Sequence, residues 1–126
     1  MSSVTEIPVA RLVAISLDCA DPQRLADFYR ALLGGRQLWA TESSVGVEVP
    51  GAVLVSQQVA GYAPPVWPGT SIVHLDLSAK ELGAAAERAL ALGATLPVQR
   101  DPRWRVLLDP AGHPFCLTPF TPDAIY

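Results

Sequence analysis

The sequence contains few of the residues that bind metals or cross-link a fold: among 126 residues it has two histidines, two cysteines and one methionine. A structural zinc module needs four Cys or His ligands at short spacing, so the sequence excludes that class. Two cysteines, Cys19 and Cys116, are too few for a disulfide framework. With 9 Lys and Arg against 12 Asp and Glu, the net charge is −3, and the chain lacks the basic stripe of a nucleic-acid-binding protein.

The sequence also lacks long hydrophobic runs. No stretch approaches the ~20 consecutive apolar residues of a membrane span. The first residues include Glu6 and Arg11 and alternate in polarity, unlike the basic region and long apolar core of a signal peptide. We therefore expect a cytoplasmic protein with reduced thiols and without nucleic-acid or membrane partners. At roughly 100–200 residues per domain, the length predicts one domain.

Half of the residues are hydrophobic, and their spacing predicts a strand and then a helix at the start of the chain. Residues 11–19 alternate between apolar and polar, which is typical of a half-buried strand. Asp21 suits the N-cap of the following helix and Pro22 its first position. Gly34 and Gly35 predict where that helix ends. Three strands are then predicted at 36–41, 45–49 and 52–59.

The second half of the chain repeats this order after a connector over residues 60–70. The connector contains three prolines and two glycines, which exclude a regular helix or strand there. Residues 71–78 alternate like the first strand, and an Ala-rich helix is predicted over 80–92, with Gly93 as its end. The remaining predicted elements are strands at 95–98, 104–108 and 114–118 and a tight turn at 109–112.

A strand, a helix and three strands that occur twice resemble the vicinal-oxygen-chelate superfamily, which includes glyoxalase I, bleomycin-resistance-type proteins and extradiol dioxygenases. The connector with Trp67 and Pro68, followed by His74 and Asp76, is similar to a glyoxalase-like subgroup common in actinobacteria. The resemblance covers residues 10–118 and is carried by three segments, LDCADPQRLADFYRALLGG, HLDLSAKELGAAAERALALGA and DPAGHPFCL.

The resemblance implies an α+β domain of two tandem βαβββ modules. Its eight strands would form a U-shaped sheet around a central trough, with the helices on the convex face. Module one would span about residues 10–59 and module two about 71–118, joined by the connector 60–70 and followed by a tail, 119–126. Facing the helices we expect Val13, Ile15, Leu17, Val73, Leu75 and Leu77, and lining the trough Ala14, Ser16, Asp18, Ile72, His74 and Asp76.

Metal-dependent members of this superfamily hold one divalent ion with ligands from the first and last strand of each module. Carried over to this sequence, those positions are Ala14, Gln57, His74 and Cys116, with Gln58 replacing Gln57 if the register slips. Alanine offers no ligand atom, and three firm protein ligands are the usual minimum for a catalytic ion. We therefore expect no cofactor; if zinc, nickel, manganese or iron does bind, its ligands would be Gln57, His74 and Cys116.

His74 and Asp76 are the candidate catalytic residues, because two residues apart on a strand they share one face. Asp76 would orient His74, which would transfer protons; the alternative is a structural histidine held by a hydrogen bond. Cys116 is either a small buried hydrophobe or a nucleophile activated by His74. Cys19 is expected in the core, and His113, which lies in a turn, is expected to be structural or solvated rather than catalytic.

The candidate substrate-binding residues are mainly aromatic. Trp39, Trp67 and Trp104 offer flat indole faces on which a planar ligand stacks; alternatively each fills the core or covers a sheet edge. Arg105, with Arg103, would form a clamp for an anionic group, or a solvated charged loop. Gln57 and Cys116 complete this set.

Three functions remain open at this point. The first is binding, sequestration or resistance, in which the trough takes up a small, partly aromatic organic molecule. The second is a lyase or isomerase that uses His74 as an acid/base or as a metal ligand. The third is a structural or partner-binding domain whose trough is filled by its own side chains. A homodimer is compatible with each of them.

Overall fold

The computed structural model describes residues 9, 11–69, 73–98 and 105–119. Over these residues the chain is an α+β fold with two helices and seven strands, in the order that the hydrophobic spacing predicts. The elements are β1 (Ile15–Cys19), α1 (Pro22–Leu33), β2 (Arg36–Ala40), β3 (Ser44–Val49), β4 (Ala52–Gln58), β5 (Leu75–Ser78), α2 (Leu82–Leu92), β6 (Arg105–Leu108) and β7 (Pro114–Thr118).

The strands form two sheets with a related topology. The first sheet has the order β1-β4-β3-β2, and the second has the order β5-β7-β6. In each sheet the first strand runs parallel to the last one, and the other pairs are antiparallel. The predicted repeat of the two halves is therefore present in the strand pairing as well as in the element order.

The strand predicted at 95–98 is not formed, so seven strands in two sheets replace the expected eight over the described residues. Thr95 makes one isolated antiparallel bridge, to Leu108, and the pairing stops there. Two residues later comes Pro97, which has no N–H with which to continue a ladder.

The first strands of both halves also begin later than predicted, at Ile15 and Leu75. Val13 and Val73, expected to pack against the helices, precede these strands and are each 67% exposed. That expectation is wrong for both valines, because side-chain alternation buries a residue only where a strand lies within a covered sheet. Ile72 lies outside the described residues.

The bounds of α1 follow from its capping residues. Asp21 accepts a hydrogen bond from the Arg24 N–H at 3.1 Å, and Pro22 begins the helix. Gly34 ends it with a φ of 73°, a conformation that glycine adopts without strain. In the part of the chain that the structure describes, neither helix is long and apolar enough to cross a membrane.

Both halves contribute to one hydrophobic core between the sheets and the helices. Phe28 and Tyr29 of α1 pack against Phe115 of β7, with ring centroids 5.9 and 6.3 Å from that of Phe115. The Tyr29 hydroxyl donates a hydrogen bond of 2.7 Å to Asp109, which is 2% exposed. The other carboxylate oxygen of Asp109 accepts hydrogen bonds from two N–H groups of the β6–β7 turn. The first helix is thereby fixed to the last hairpin.

Candidate functional site

Three side chains with metal-binding or acid/base chemistry meet on the second sheet. Asp76 of β5 and Cys116 of β7 are direct neighbours in the parallel register, and His74 lies two residues before Asp76. The His74 Nδ1 atom is 3.1 Å from a carboxylate oxygen of Asp76 and 3.8 Å from the Cys116 Sγ atom. The ligand atoms of all three residues lie within 4.8 Å of one another. We call these three residues the second-sheet cluster.

This cluster lies on the face of the second sheet opposite α2. The neighbours of Cys116 along β7, Phe115 and Leu117, belong to the hydrophobic core, so alternation turns Cys116 the other way. The His74 side chain is 38% exposed and that of Asp76 61% exposed. Both are accessible to a ligand from solvent.

Burial raises the pKa of the Cys116 thiol above its ordinary 9.0, and the charge of Asp76 and a hydrogen bond to it raise it further. Cys116 is therefore a neutral thiol near pH 7. The same ring nitrogen of His74 faces both Asp76 and Cys116, whereas a Cys–His–Asp relay uses the two ring nitrogens separately. This geometry argues against the nucleophilic interpretation of Cys116.

Trp67 of the connector lies beside the cluster. Its ring centroid is 6.4 Å from that of His74, and the two rings meet edge to face at 75°. The indole is partly buried. The connector thus brings one of the three sequence-predicted tryptophans to the candidate catalytic histidine.

The first sheet carries a different set of residues on its face opposite α1. Along β3, Val45 and Val47 belong to the core, so Gly46 points to the opposite face. The Trp39 ring lies over Gly46, in the space that a Cβ atom there would occupy. The Trp39 indole N–H donates a 2.8 Å hydrogen bond to the Ser44 hydroxyl, and Trp39 stays 40% exposed. The sheet thus holds the indole against its own surface while leaving part of it exposed.

The register also decides between Gln57 and Gln58. Gln57 pairs with Asp18 of β1 and Ser44 of β3, so it lies on the same face as Trp39 and is partly buried. Gln58 pairs with Cys19 and donates its side-chain N–H to the Ala20 carbonyl at 3.3 Å. Gln57 is therefore the glutamine on the face that carries Trp39.

Cys19 lies in the core, as its alternation predicts: it is 1% exposed, and burial is the main cause that raises its pKa to about 11. Its thiol donates a 3.5 Å hydrogen bond to the Gln57 carbonyl.

Some predicted site residues lie elsewhere. Arg105 pairs with Leu117, a core residue, so it belongs to the face opposite the second-sheet cluster. In this register Arg105 does not face a ligand at the second-sheet cluster, so it does not form the predicted clamp for an anionic group there. Ala14 precedes β1 and offers no ligand atom, while Trp104 and Arg103 lie outside the described residues.

Tyr62 and His113 form a junction between the two halves that sequence reasoning did not find. The Tyr62 hydroxyl donates to the Ala111 carbonyl at 2.6 Å and is 3.3 Å from the His113 Nε2 atom. That nitrogen lies 2.6 Å from the Asp18 carbonyl at the end of β1. His113 is thus structural, as predicted, while Tyr62 lies in an irregular connector whose sequence has no periodic signal.

The sequence matches the family model of the glyoxalase-like domain over residues 14–118. The chain belongs to this family. The predicted resemblance to the vicinal-oxygen-chelate superfamily is thereby confirmed, and the actinobacterial subgroup stays a prediction.

Solved structures similar to this glyoxalase-like domain include resistance proteins. A mutant of the fosfomycin resistance protein FosX from Listeria monocytogenes, complexed with Mn(II) and 1S,2S-dihydroxypropylphosphonic acid, has a TM-score of 0.68 and 15% identity over 94% of this chain and 98% of that chain. TioX from Micromonospora sp. ML1 has a TM-score of 0.56 and 18% identity over 86% and 97%. A glyoxalase-related enzyme from Fulvimarina pelagi has a TM-score of 0.60 and 22% identity, over 88% of this chain and 90% of that chain.

At these identities the likeness shows the shared fold alone. No curated protein is similar enough to this glyoxalase-like domain to count as a relative.

The donor atoms of this glyoxalase-like domain fit a divalent ion better than the sequence predicts. The carried-over positions offer Gln57, His74 and Cys116, whereas the structure adds the carboxylate of Asp76 to His74 and Cys116. A sulfur, an imidazole nitrogen and a carboxylate oxygen are the three ligand types that zinc takes in proteins. These three residues would hold the ion, and a thiol and an imidazole do so in their deprotonated forms.

Proposed function

We propose that this glyoxalase-like domain binds a small, partly aromatic organic molecule in a trough between its two sheets, in a binding, sequestration or resistance role. The observation that carries the proposal is the placement of Trp39. Its indole packs against Gly46, is held by a hydrogen bond to Ser44 and is still 40% exposed. An aromatic side chain held in place in this way gives stacking area at little further cost in conformational entropy.

The residues around Trp39 suit such a ligand. Small-molecule sites are mostly apolar with a few placed polar groups. Val55 lies in the cross-strand row of Gly46 and is buried, while Asp18 and Gln57 lie in the next row on the same face. An apolar centre with an amide and a carboxylate at one end would orient a planar molecule that carries a hydrogen-bonding group.

The similar structures support a small-molecule role without naming the ligand. FosX from Listeria monocytogenes is a fosfomycin resistance protein and was solved with a dihydroxypropylphosphonic acid. We carry over only the use of this fold for small organic molecules, because the identity is 15%.

The proposal is tested with a panel of small aromatic molecules, monitored by tryptophan fluorescence and by melting temperature. A binder is expected to raise the melting temperature, to quench tryptophan fluorescence and to be recovered unchanged. Trp39→Ala should lose at least about tenfold in affinity, since a stacked indole at the centre of a site is typically worth 1.4 kcal/mol or more.

Leu90→Ala is the matched control, because Leu90 of α2 is similarly exposed, at 38%, and lies away from this sheet face. Equal losses in both variants, or a panel without any binder, would contradict the proposal.

The second candidate function is a lyase or isomerase in which His74 transfers protons. The observation that favours it is the contact of His74 with Asp76 at 3.1 Å, which orients an exposed imidazole. Imidazole is the side chain best suited to proton transfer near neutral pH. Alternatively, His74 would be a ligand of a divalent ion together with Asp76 and Cys116, and the ion would then supply a Lewis acid for the substrate.

His74→Gln separates the two candidates once a ligand is found. An enzyme loses turnover in this variant and keeps most of its affinity, whereas a binding protein converts no ligand in either form. A structural domain with a filled trough would fail both assays.

We further propose that the protein is cytoplasmic and forms a homodimer. Gel filtration at two protein concentrations tests the dimer.

A further inference from the structure

We infer that His74, Asp76 and Cys116 form a divalent-cation site contained within the second sheet, which takes Zn²⁺ in preference to Mn²⁺ and uses Asp76 in place of any ligand from the first sheet. The inference does not depend on the proposed binding of an organic molecule. It concerns which residues hold the ion and which ion they select.

The positions of the three donor atoms are the first argument. Residues i and i+2 on a strand are ~6.5–7 Å apart along the chain, yet the side chains of His74 and Asp76 approach to 3.1 Å. Cys116 joins them because it is the register partner of Asp76 on the neighbouring strand. Ligand atoms around a tetrahedral zinc ion lie about 3.5 Å apart, given Zn–N and Zn–S bonds of ~2.0 and ~2.3 Å. Donor atoms within 4.8 Å of one another reach that spacing by small side-chain rotations.

The identity of the donors is the second argument. A thiolate is a soft ligand that selects zinc and similar ions, whereas manganese prefers carboxylate, carbonyl and water oxygens. The general order of divalent affinities also places Zn²⁺ well above Mn²⁺. Both trends favour zinc at the second-sheet cluster, and the exposure of His74 and Asp76 leaves room for a fourth ligand from solvent.

The third argument is that the two superfamily ligand positions on the first half of the chain, Ala14 and Gln57, offer weak donors. The residue before β1, Ala14, has no ligand atom. Gln57 is a neutral amide, while Asp76 supplies a full negative charge beside the thiolate. Two anionic ligands and one neutral imidazole balance a divalent ion without Gln57.

The test uses Co²⁺ as a spectroscopic substitute for Zn²⁺ on the full-length protein. Thiolate bound to Co²⁺ gives a sulfur-to-metal charge-transfer band in the near ultraviolet, and tetrahedral Co²⁺ gives strong visible bands. We expect both at one ion per chain. Stoichiometric Zn²⁺ should remove them, and Mn²⁺ should not do so at about 100-fold excess, since its affinity for N and S ligands is far lower.

Four variants locate the ligands. Cys116→Ser should abolish the charge-transfer band, and Cys19→Ser, its matched control at the other cysteine, should keep it. Asp76→Asn should weaken Zn²⁺ binding by at least about tenfold. Changes to residues that only support a ligand typically cost about 10–100-fold in affinity, and the loss of a ligand itself should cost no less. Gln57→Ala should change affinity by less than about twofold.

Circular dichroism of each variant checks that the fold is intact. Several results would overturn the inference: no Co²⁺ binding to the folded protein, a band that survives in Cys116→Ser, or displacement of Co²⁺ by Mn²⁺. If Gln57→Ala weakened Zn²⁺ binding as much as Asp76→Asn, the ligands would come from both sheets, and the inference would be wrong.

Discussion

The two sheets share a strand order and differ in the chemistry of the face away from their helix. The first sheet presents an indole and an amide, Trp39 and Gln57, and carries the exposed carboxylates of Asp18 and Glu48 towards the two ends of the same face. The second sheet presents an imidazole, a carboxylate and a thiol, all three of which bind metals or protons. The repeated strand order therefore carries an exposed indole on one sheet and a compact group of three metal-binding side chain types on the other.

This difference explains why the ligand set expected from the superfamily looks incomplete on this chain. That set draws on both modules, and here the first module offers Ala14 and Gln57. In the proposed site the second sheet compensates locally, since Asp76 is the register neighbour of Cys116. Counting ligands at inherited positions therefore underestimates what one sheet assembles by itself.

The largest expected effect on stability tests whether the two sheets unfold together or independently. Phe115 of the second half is 0% exposed and packs against Phe28 and Tyr29 of the first half. Phe115→Ala should lower the free energy of unfolding by about 4 kcal/mol, because it leaves a cavity in a shared core. Denaturant unfolding followed by tryptophan fluorescence and by circular dichroism should give one coincident transition. Separate transitions would mean that the sheets differ in stability as well as in chemistry.

The next effect concerns the polar link between the halves. Asp109→Ala should cost about 3 kcal/mol, since it leaves the buried Tyr29 hydroxyl and two turn N–H groups without an acceptor. Asp109→Asn keeps an acceptor and should cost less.

Asp109 also predicts a pH dependence. Burial raises its pKa above 3.8 in the folded state, although the hydrogen bond from Tyr29 and other groups oppose this. Between pH 3.8 and the raised pKa, the Asp109 carboxyl group ionises only in the unfolded chain. The contribution of Asp109 to the free energy of unfolding is therefore full below pH 3.8 and is lost as the pH rises through the folded-state pKa. Urea unfolding of the wild type and Asp109→Asn from acid to neutral pH measures this. Parallel curves would show that Asp109 does not titrate in this way.

The sequence predicts the local features of both sheets and misses the long-range ones. Asp21, Pro22 and Gly34 determine the bounds of α1 through hydrogen bonds within a few residues, so their signals are legible without a structure. Alternation likewise predicts that His74 and Asp76 share a face.

What it could not predict depends on strand registers between distant segments. Asp76 joins Cys116, 40 residues away, only because β5 and β7 pair in that register, and Arg105 falls on the opposite face for the same kind of reason. Side-chain alternation gives the face relative to neighbours on one strand, and a register is needed to relate two strands.

A smaller effect is expected on the first sheet alone. Gly46→Ala places a methyl group where the Trp39 ring lies, so the indole must move off the sheet. We expect a loss of about 1 kcal/mol from overpacking, a changed tryptophan emission and unaltered Zn²⁺ binding at the second sheet.

Gly83→Ala is the matched control, because a Cβ at Gly83 of α2 meets no atom within 4 Å and alanine favours a helix. If Gly46→Ala changed metal binding, the separation of the two faces would be wrong.

The smallest effect on stability concerns the charge of the first-sheet face. Arg36 donates to Glu48 at 2.9 Å, and their side chains are 74% and 50% exposed. Breaking an exposed pair by Arg36→Gln should cost less than about 1 kcal/mol. The same change removes the cation beside Glu48 on the face that carries Trp39, and it leaves the carboxylates of Glu48 and Asp18 on that face without a basic partner from Arg36. Ligand titrations at low and high salt should therefore show weaker binding of anionic molecules and stronger binding of cationic ones, with the difference shrinking as salt rises. A shift that is equal for both ligand charges would mean that Arg36 acts through the shape of β2, and the charge of the first sheet would then play no part in selecting its ligand.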